Sequence, residues 1–217
     1  YDPFLFRDMD KAVARLREAV DKGQRVCVYG DYDVDGVCAT AIMLGALEQL
    51  GAQAFYHVPS RHREGYGMNK AAVEELAQAG TQLILTVDNG IKALEEIRLA
   101  RELGMDVIVT DHHLCGDTLP EAAAILCHTL PGNPYPNPDL CGAGTAYKLA
   151  CALLGKERAM GFLPLVALAT TADVMPLTGE NRALVALGLG ALNRGECCVG
   201  LQALNRVANP KGSRLTA

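Results

Sequence analysis

The amino-acid sequence predicts an α/β fold, with a mostly parallel sheet flanked by helices on both faces and followed by C-terminal helices. Short apolar runs, typical of buried strands, alternate with longer stretches in which apolar residues recur every three or four positions. Glycine or a capping residue marks many of the boundaries between them. This alternation is typical of βα units, and successive βα units build a parallel sheet with helices on both of its faces.

Local patterns justify each element in turn. Met9, Val13, Leu16 and Val20 form one apolar stripe and predict an amphipathic first helix, and Asn69 is a typical cap for a later one. The predicted strands are residues 25–29, 52–58, 82–87, 106–110 and 123–127. The predicted helices are residues 8–21, 37–50, 70–79 and 91–103 and, beyond a proline-rich loop at 131–138, residues 145–154, 162–172 and 181–193.

Composition excludes several classes of protein. The chain has 217 residues, of which 50% are hydrophobic and 21% charged, so it is not intrinsically disordered. Its most apolar stretch, residues 162–172, is too short to span a bilayer and contains Pro164, so we expect no membrane association. The net charge of −5 argues against a protein that coats DNA with basic residues. The negative net charge is compatible with an enzyme whose carboxylates bind cations.

The start of the chain and the cysteine pattern indicate in which cellular compartment the protein works. The chain opens on Tyr1 without an initiator methionine or a signal-peptide pattern, so we expect a cytoplasmic fragment of a longer protein. The eight cysteines include no C-x-x-C pair, and several lie inside apolar runs. We therefore expect reduced thiols that pack as small hydrophobic side chains.

Acidic residues and histidines follow three of the predicted strands. In parallel sheets the carboxyl ends of strands meet at one edge, where ligands bind. An acidic residue also follows the apolar helix 162–172. The polar residues at these points are Asp31, Asp33 and Asp35, then Asp88 and Asn89, then Asp111, His112 and His113, and finally Asp173.

Carboxylates crowded at one sheet edge repel each other, and hard divalent cations relieve that repulsion. A mixture of carboxylates with one or two imidazoles suits Mn²⁺ or Mg²⁺ better than Zn²⁺. The candidate ligands are numerous enough for two ions that share a bridging carboxylate. Two such ions, roughly 3.5–4 Å apart, commonly catalyse phosphoester hydrolysis.

Each motif also has a structural interpretation. The spacing of Asp31, Asp33 and Asp35 before Gly36 matches the start of an EF-hand loop, but the twelfth position, which should be Glu, is Ile42. Asp88-Asn89-Gly90 is also a good turn, and Asp111-His112-His113 is compatible with a solvated loop. The metal-site interpretation depends on the equivalent positions of all these motifs.

Two further segments could bind phosphate. Arg61 and Arg63 lie beside a Gly-Tyr-Gly sequence and either bind phosphate or belong to a solvated loop. Gly142 and Gly144 open a predicted helix, whose N–H groups either accept an anion or form a tight turn with close packing.

Four motifs, in order, resemble those of the DHH phosphoesterase superfamily. More narrowly, the chain resembles the RecJ-like single-strand-specific DNA exonucleases of bacteria, and supporting matches span nearly all of it. The four motifs are Tyr29-Gly-Asp-Tyr-Asp-Val-Asp-Gly36, Thr86-Val-Asp-Asn-Gly90, Thr110-Asp-His-His113 and Ala169-Thr-Thr-Ala-Asp173.

The resemblance implies a role for each polar residue. Asp88 would bridge two Mn²⁺ or Mg²⁺ ions, His113 would contact the scissile phosphate, and Asp31 and Asp111 would orient the ligands as part of the catalytic set. The implied metal ligands are Asp33, Asp35, Asp88, His112 and Asp173. The expected substrate-binding residues are Arg61, Arg63, Asn89, Gly142 and Gly144.

The resemblance also implies a two-metal phosphodiesterase that degrades single-stranded DNA from 5′ to 3′ in repair and recombination. Residues 1–195 would form the catalytic domain, and residues 196–217 would begin a linker toward a second domain of the DHHA1 type. Single-strand-binding proteins or helicases are expected partners. The segment 127–132 lacks the Asn-Pro-Lys sequence of the family, which puts the DNA contacts of that loop in doubt. The alternatives are a phosphodiesterase for short oligonucleotides or cyclic dinucleotides, and a non-catalytic DNA-binding relative.

Overall fold

The computed structural model describes residues 1–61 and 67–217. Within these residues, five strands form one sheet in the order β2-β1-β3-β4-β5, and every neighbouring pair is parallel. The predicted parallel sheet is therefore confirmed. The strands are β1 (Arg25–Tyr29), β2 (Gln53–His57), β3 (Leu83–Val87), β4 (Asp106–Asp111) and β5 (Ala124–Cys127).

The strand order has a switch point between β1 and β3. The connection after β1 leads to β2 on one side, whereas β3, β4 and β5 follow one another on the other side. The loops after β1 and β3 therefore diverge and leave a crevice at the carboxyl edge of the sheet. Ligand sites in open α/β sheets lie at such a crevice.

Helices cover both faces of the sheet, as predicted. Alternate residues of β1 enter two different cores, because successive side chains of a strand point to opposite faces. Val26 and Val28 pack with α1, α2 and α5, while Cys27 and Tyr29 pack with α3 and α4. The helices are α1 (Met9–Asp21), α2 (Val34–Gln49), α3 (Lys70–Gln78), α4 (Leu94–Glu102), α5 (Gly142–Leu154), α6 (Lys156–Ala159), α7 (Leu163–Ala172), α8 (Gly179–Asn193) and α9 (Val199–Ala208).

The starts of three helices differ from the sequence prediction by three residues. Helix α2 begins three residues earlier than predicted, because the Asp33 side chain accepts a hydrogen bond from the Gly36 amide at 2.9 Å and caps the helix. Helix α5 also begins three residues early, at Gly142. Helix α4 begins three residues late, and the Ile91 amide before it donates to the Asp111 carboxylate at 2.9 Å.

The segment after residue 195, predicted as the start of a linker, contains helix α9. Beyond that helix the chain returns to α8, where the Asn193 side chain exchanges two hydrogen bonds with the Leu215 backbone, at 2.8 and 3.0 Å. Where the catalytic domain ends stays a prediction.

Among residues 1–61 and 67–217, no helix has the length and apolarity needed to cross a membrane. The eight cysteines are free thiols, and Cys27, Cys38, Cys127 and Cys141 are buried. Burial raises the pKa of the Cys27 and Cys38 thiols to about 12, so these side chains pack as neutral groups, as the sequence indicated.

Helices α7 and α8 cross closely at Gly188. A Cβ at Gly188 would overlap the Leu163 carbonyl oxygen and lie 2.6 Å from the Ala167 Cβ, so only glycine fits this crossing. Gly190 lies on the same helix, but a Cβ there would meet only the end of the Arg194 side chain, at 3.4 Å. Substituting each glycine by alanine therefore distinguishes the effect of helix packing on stability, at Gly188, from the effect of helix propensity, at Gly190.

We expect Gly188→Ala to lower the free energy of unfolding by roughly 1–3 kcal/mol, because a new methyl group would force two packed helices apart. Gly190→Ala is the matched control and should raise the free energy by up to about 1 kcal/mol, because alanine favours the helix. Urea denaturation followed by circular dichroism measures both. Equal effects of the two substitutions would contradict the close crossing.

Candidate metal centre

The polar residues that follow β1, β3 and β4 meet at the carboxyl edge of the sheet, as the sequence predicted. The end of α7 adds one more carboxylate to the same place. His112 Nε2 lies 3.1 Å from Asp88 Oδ1, 3.7 Å from Asp35 Oδ2 and 3.8 Å from Asp173 Oδ2. One imidazole therefore contacts acids from three different segments of the chain.

Asp88 occupies the centre of the cluster in an uncommon backbone conformation. Its φ of 63° lies in the left-handed region, which aspartate adopts more readily than most residues. Its amide donates to the Thr110 carbonyl of the neighbouring strand at 3.0 Å, which holds the turn against β4. On the other side, a Cβ at Gly142 would lie 2.6 Å from the Asp88 Cβ, so a glycine is needed for the carboxylate to fit.

Asp35 is held by the N-terminus of another helix. Its two carboxylate oxygens accept hydrogen bonds from the amides of Gly142, at 2.6 Å, and Ala143, at 2.7 Å. These amides belong to the first turn of α5, where the helix dipole favours a negative charge. The Asp35 side chain is therefore held in place close to Asp88 and His112.

Asp111 is saturated with donors and orients His113. The Asp111 carboxylate accepts from the amides of Ile91, His112 and His113 at 2.7–3.1 Å and contacts His113 Nδ1 at 2.7 Å. Burial acts to raise the pKa of Asp111, but the bond with His113 and the other donors outweigh it and lower that pKa. The same bond raises the pKa of His113, so the ring favours the protonated form.

The other acids of the cluster have no comparable support. Burial, followed by the charges of Asp35 and Asp33, raises the pKa of Asp88 to about 10. Burial is also the main cause of the raised pKa values of Asp31 and Asp173. One oxygen of each of these three residues is buried and forms no hydrogen bond within the described residues: Asp31 Oδ1, Asp88 Oδ1 and Asp173 Oδ2. His112 Nε2 lies 3.1 Å from Asp88 Oδ1, but the geometry is not that of a hydrogen bond.

Unsatisfied buried oxygens beside raised carboxyl pKa values fit a bound cation, which would replace the missing donors and neutralise the charge. In the part of the chain that the structure describes, three groups of side chains bring ligand atoms within 4.8 Å of one another. Asp88 and His112 each belong to two of them. The groups are Asp88 with His112 and His113; Asp35 with His112 and Asp173; and Asp31 with Asp33 and Asp88.

These groups include two side chains that the sequence interpretation placed outside the metal ligands. Asp31 lies with Asp33 and Asp88, and His113 lies with Asp88 and His112. Gly36 contributes to the position of Asp31, because a Cβ on Gly36 would lie within 2.7 Å of the Asp31 backbone. Close packing of the α2 start against Asp31 thus keeps this carboxylate near the cluster.

The residues expected to bind substrate have mixed surroundings. The Arg61 guanidinium lies 5.5 Å from the centre of the Tyr32 ring, next to the first motif, and Arg63 falls outside the described residues. Asn89 is buried, and its side-chain nitrogen donates to the carbonyls of Tyr29 and Val87 at 3.1 and 2.9 Å. Asn89 therefore ties β1 to β3 below the site.

The two helix-opening glycines bond within the protein. The Gly142 amide bonds Asp35, and the Gly144 amide donates to Cys141 Sγ at 3.3 Å. The sequence left open whether this Gly-x-Gly helix start binds an anion or forms a tight turn, and in the structure its amides bind the chain's own Asp35. The Ala143 amide, which the sequence analysis did not single out, is the second donor to it.

Comparison with known proteins identifies relatives of this chain. A protein from Bacillus subtilis named single-stranded-DNA-specific exonuclease RecJ is 46% identical over 194 residues, which are 89% of this chain and 25% of that protein. The RecJ of Escherichia coli is 41% identical over 96% of this chain and 39% of its own length. The chain thus spans between a quarter and two fifths of these relatives.

A solved structure has the same fold. The crystal structure of an exonuclease RecJ bound to manganese superposes with a TM-score of 0.87 and 39% identity, covering 96% of this chain and 54% of that chain. Residues 25–170 match the family described as "DHH family, N-terminal domain". This match runs from the first residue of β1 into α7 and includes the acidic motifs after β1, β3 and β4. The chain belongs to the DHH family.

Proposed function

We propose that the chain is the catalytic domain of a metal-dependent exonuclease that hydrolyses phosphodiester bonds of single-stranded DNA. The observation that carries this proposal is the arrangement, within residues 1–61 and 67–217, of three ligand groups around Asp88 and His112, with three buried carboxylate oxygens that form no hydrogen bond there. The names of the relatives, and the manganese in one of them, supply the substrate and the cofactor.

The proposed ligands of two Mn²⁺ or Mg²⁺ ions are the acids and the histidine that the sequence singled out. Asp88 is the proposed bridging ligand, because it belongs to two of the three groups and its carboxylate offers two ligand oxygens, whereas His112, which also belongs to two groups, offers one nitrogen. Asp31 either joins Asp33 in one site or orients it. The proposed ligands are Asp33, Asp35, Asp88, His112 and Asp173.

The bound ions would act as Lewis acids and lower the pKa of a water molecule. Side chains of the protein would fix the site and contact the substrate. The Asp35 carboxylate is fixed by two amides, so it does not reorganise when the charge at the site changes. Asp111 sets the direction of the His113 ring and raises its pKa. His113 can therefore bring a positive charge to a phosphate whose negative charge increases during the reaction.

Arg61 and Arg63 are the proposed contacts to DNA phosphates. Arg61 lies over the Tyr32 ring, at the rim of the site, where a planar cation and an aromatic ring suit a flexible single strand. Asn89, Gly142 and Gly144 also stay in the proposed substrate-binding set. Their polar contacts within the protein favour an indirect role, in which they hold the residues that meet the substrate.

The wider context is part of the same proposal. Residues 1–195 form the catalytic domain, and residues 196–217 lead toward a second, DHHA1-type domain. Degradation runs from 5′ to 3′ and serves DNA repair and recombination in the cytoplasm, together with single-strand-binding proteins or helicases. These statements rest on the resemblance to longer relatives.

Asp88→Asn should reduce Mn²⁺-dependent degradation of a single-stranded oligonucleotide by at least about 100-fold, because it removes the bridging charge while keeping the size of the side chain. The wild-type chain should shorten the strand, and oligonucleotides labelled at either end reveal the direction. Asp21→Asn, an exposed position at the end of α1, is the matched control and should retain activity.

Other outcomes separate the alternatives. Hydrolysis of dinucleotides or cyclic dinucleotides, with longer strands left intact, would favour a phosphodiesterase for small substrates. Wild-type activity in Asp88→Asn would contradict the bridging role. A chain that binds DNA but neither Mn²⁺ nor hydrolysable substrates would be a non-catalytic relative.

Asp88→Asn should also stabilise the metal-free protein at pH 8. The pKa of Asp88 is raised in the folded state, so the folded protein loses stability as the pH rises from about 4, the ordinary aspartate value, toward about 10. Asparagine removes this cost and tolerates the left-handed backbone. Thermal unfolding in a chelator should give a Tm roughly 3–6 °C higher, corresponding to about 1–2 kcal/mol. Mn²⁺ should raise the Tm of the wild type and leave the Tm of Asp88→Asn unchanged. In chelator, a Tm of the variant below that of the wild type would contradict the predicted destabilisation by Asp88.

Metal binding should release protons at neutral pH. Since the pKa of Asp88 is about 10 in the metal-free chain, this group holds a proton near pH 7 and must lose it to bind a cation. The association constant for Mn²⁺ should therefore rise between pH 6.5 and 8.5, by up to about tenfold per pH unit for each proton released. Calorimetry in buffers of different ionisation enthalpy counts these protons. An association constant that does not change with pH would disprove the linkage.

A further inference from the structure

Asn181 is a buried polar residue that none of the roles above includes. It lies in the first turn of α8, 1% exposed, and its carboxamide is fully bonded. The side-chain nitrogen donates to the Asp139 carbonyl at 2.7 Å and to the Pro176 carbonyl at 3.1 Å. The side-chain oxygen accepts from Asn137 Nδ2 at 2.9 Å. Asn181 thus joins two loops that are far apart in sequence.

The first of these loops leads to Asp35. Asp139 precedes Cys141, the N-cap of α5, by two residues, and the next two amides of that helix bind the Asp35 carboxylate. Asn137 braces the same loop, because its side-chain oxygen accepts from the Asp139 amide at 3.1 Å. The bond from Asn181 to Asp139 therefore fixes the segment that positions the donors to Asp35.

The second loop carries Asp173. Pro176 follows Asp173 by three residues, and between them Val174 has a φ of 56°, an unfavourable conformation for a β-branched residue. The Val174 side chain is 85% exposed, so packing does not hold this conformation. The turn is held by the Met175 amide, which donates to the Thr170 carbonyl at 3.1 Å, and by the bond from Asn181 to Pro176.

The turn of α8 that carries Asn181 is itself anchored. Its neighbour Glu180 accepts from Lys148 Nζ at 2.7 Å and from the Tyr135 hydroxyl at 2.8 Å, and both side chains of the ion pair are less than a tenth exposed. A buried, hydrogen-bonded ion pair fixes the start of α8 against α5. Asn181 therefore extends from a helix turn that is held in place against α5.

We propose that Asn181 is a positioning residue that sets the distance between Asp35 and Asp173 across His112. These two carboxylates lie 3.7 and 3.8 Å from the same His112 nitrogen, and together the three side chains form one of the ligand groups. The side-chain nitrogen of Asn181 donates to both supporting loops, so it holds the Asp35 and Asp173 carboxylates on either side of His112 before a cation binds. This inference rests on the proposed metal site.

The test is the affinity of the full 217-residue chain for Mn²⁺, measured from the free-ion signal in electron paramagnetic resonance without any substrate. Asn181→Leu keeps the approximate size of the side chain and removes its donors, and should raise the Kd for the Asp35–His112–Asp173 position by about tenfold. Leu76→Ala is the control. It opens a cavity under α3, in the other core, so it lowers the Tm and should leave the Kd unchanged.

A double-mutant cycle separates positioning from general loss of stability. If Asn181 acts through Asp173, the effect of Asn181→Leu on Mn²⁺ binding should shrink when Asp173 is already alanine, because sites that share a partner are not additive. A wild-type Kd in Asn181→Leu, or a loss no larger than in Leu76→Ala, would overturn the inference. An additive cycle would overturn it as well.

A milder variant covers the case in which Asn181→Leu does not fold. Asn137→Ala removes the brace on the same loop and should raise the Kd about threefold, and an unchanged Kd would then overturn the inference. Failure of the wild type to bind Mn²⁺ would instead overturn the proposed metal site. The two failures are therefore distinguishable.

Discussion

Repulsion between buried carboxylates is the constraint on which the rest of this structure depends. The fold neutralises some of these acids by itself: Asp35 receives two helix amides, and Asp111 receives three amides and an imidazole. It leaves one oxygen each of Asp31, Asp88 and Asp173 without a donor among the described residues. The protein thus separates acids that shape the site from acids that remain available to a ligand.

The sheet makes this separation possible. Because the strand order switches between β1 and β3, the segments after these strands diverge and leave space for side chains from α2, β4 and α7. Asp88 turns into that space through a left-handed residue, and the missing side chain of Gly142 lets α5 approach it. The backbone amides of α5 then reach Asp35. A left-handed residue, a glycine without a side chain and two helix amides therefore serve one electrostatic purpose.

Much of the fold could be predicted, because buried parallel strands appear in sequence as apolar runs. The bounds of β1 match the prediction, and β3, β4 and β5 differ by one residue at one end. Helix starts were less predictable, because side chains from distant segments bond the backbone near them. The Ile91 amide before α4 donates to Asp111, and α5 gains a turn whose amides bond Asp35. Local sequence contains no record of such distant partners.

The candidate site shows the same limit. Acids and histidines at strand ends identify its position, because parallel strands bring their carboxyl ends together. The sequence does not show that Asp31 and His113 lie within ligand distance of the other donors, or that the anion at the Gly-x-Gly helix start is Asp35. Nor does it distinguish Asn181 from an ordinary residue of a helix start. These roles depend on contacts between segments that lie far apart in sequence, such as Asp35 with Gly142 and Asn181 with Asp139.

The order of the candidate metal ligands along the chain affects when the site can form while the protein is being synthesised. The group of Asp31, Asp33 and Asp88 is complete once β3 has formed, whereas the group of Asp35, His112 and Asp173 needs the end of α7. A chain growing from its N-terminus therefore completes one set of donors about eighty-five residues before the other. The two halves of the centre are assembled at different times, and the second half can form only after most of this chain has been translated.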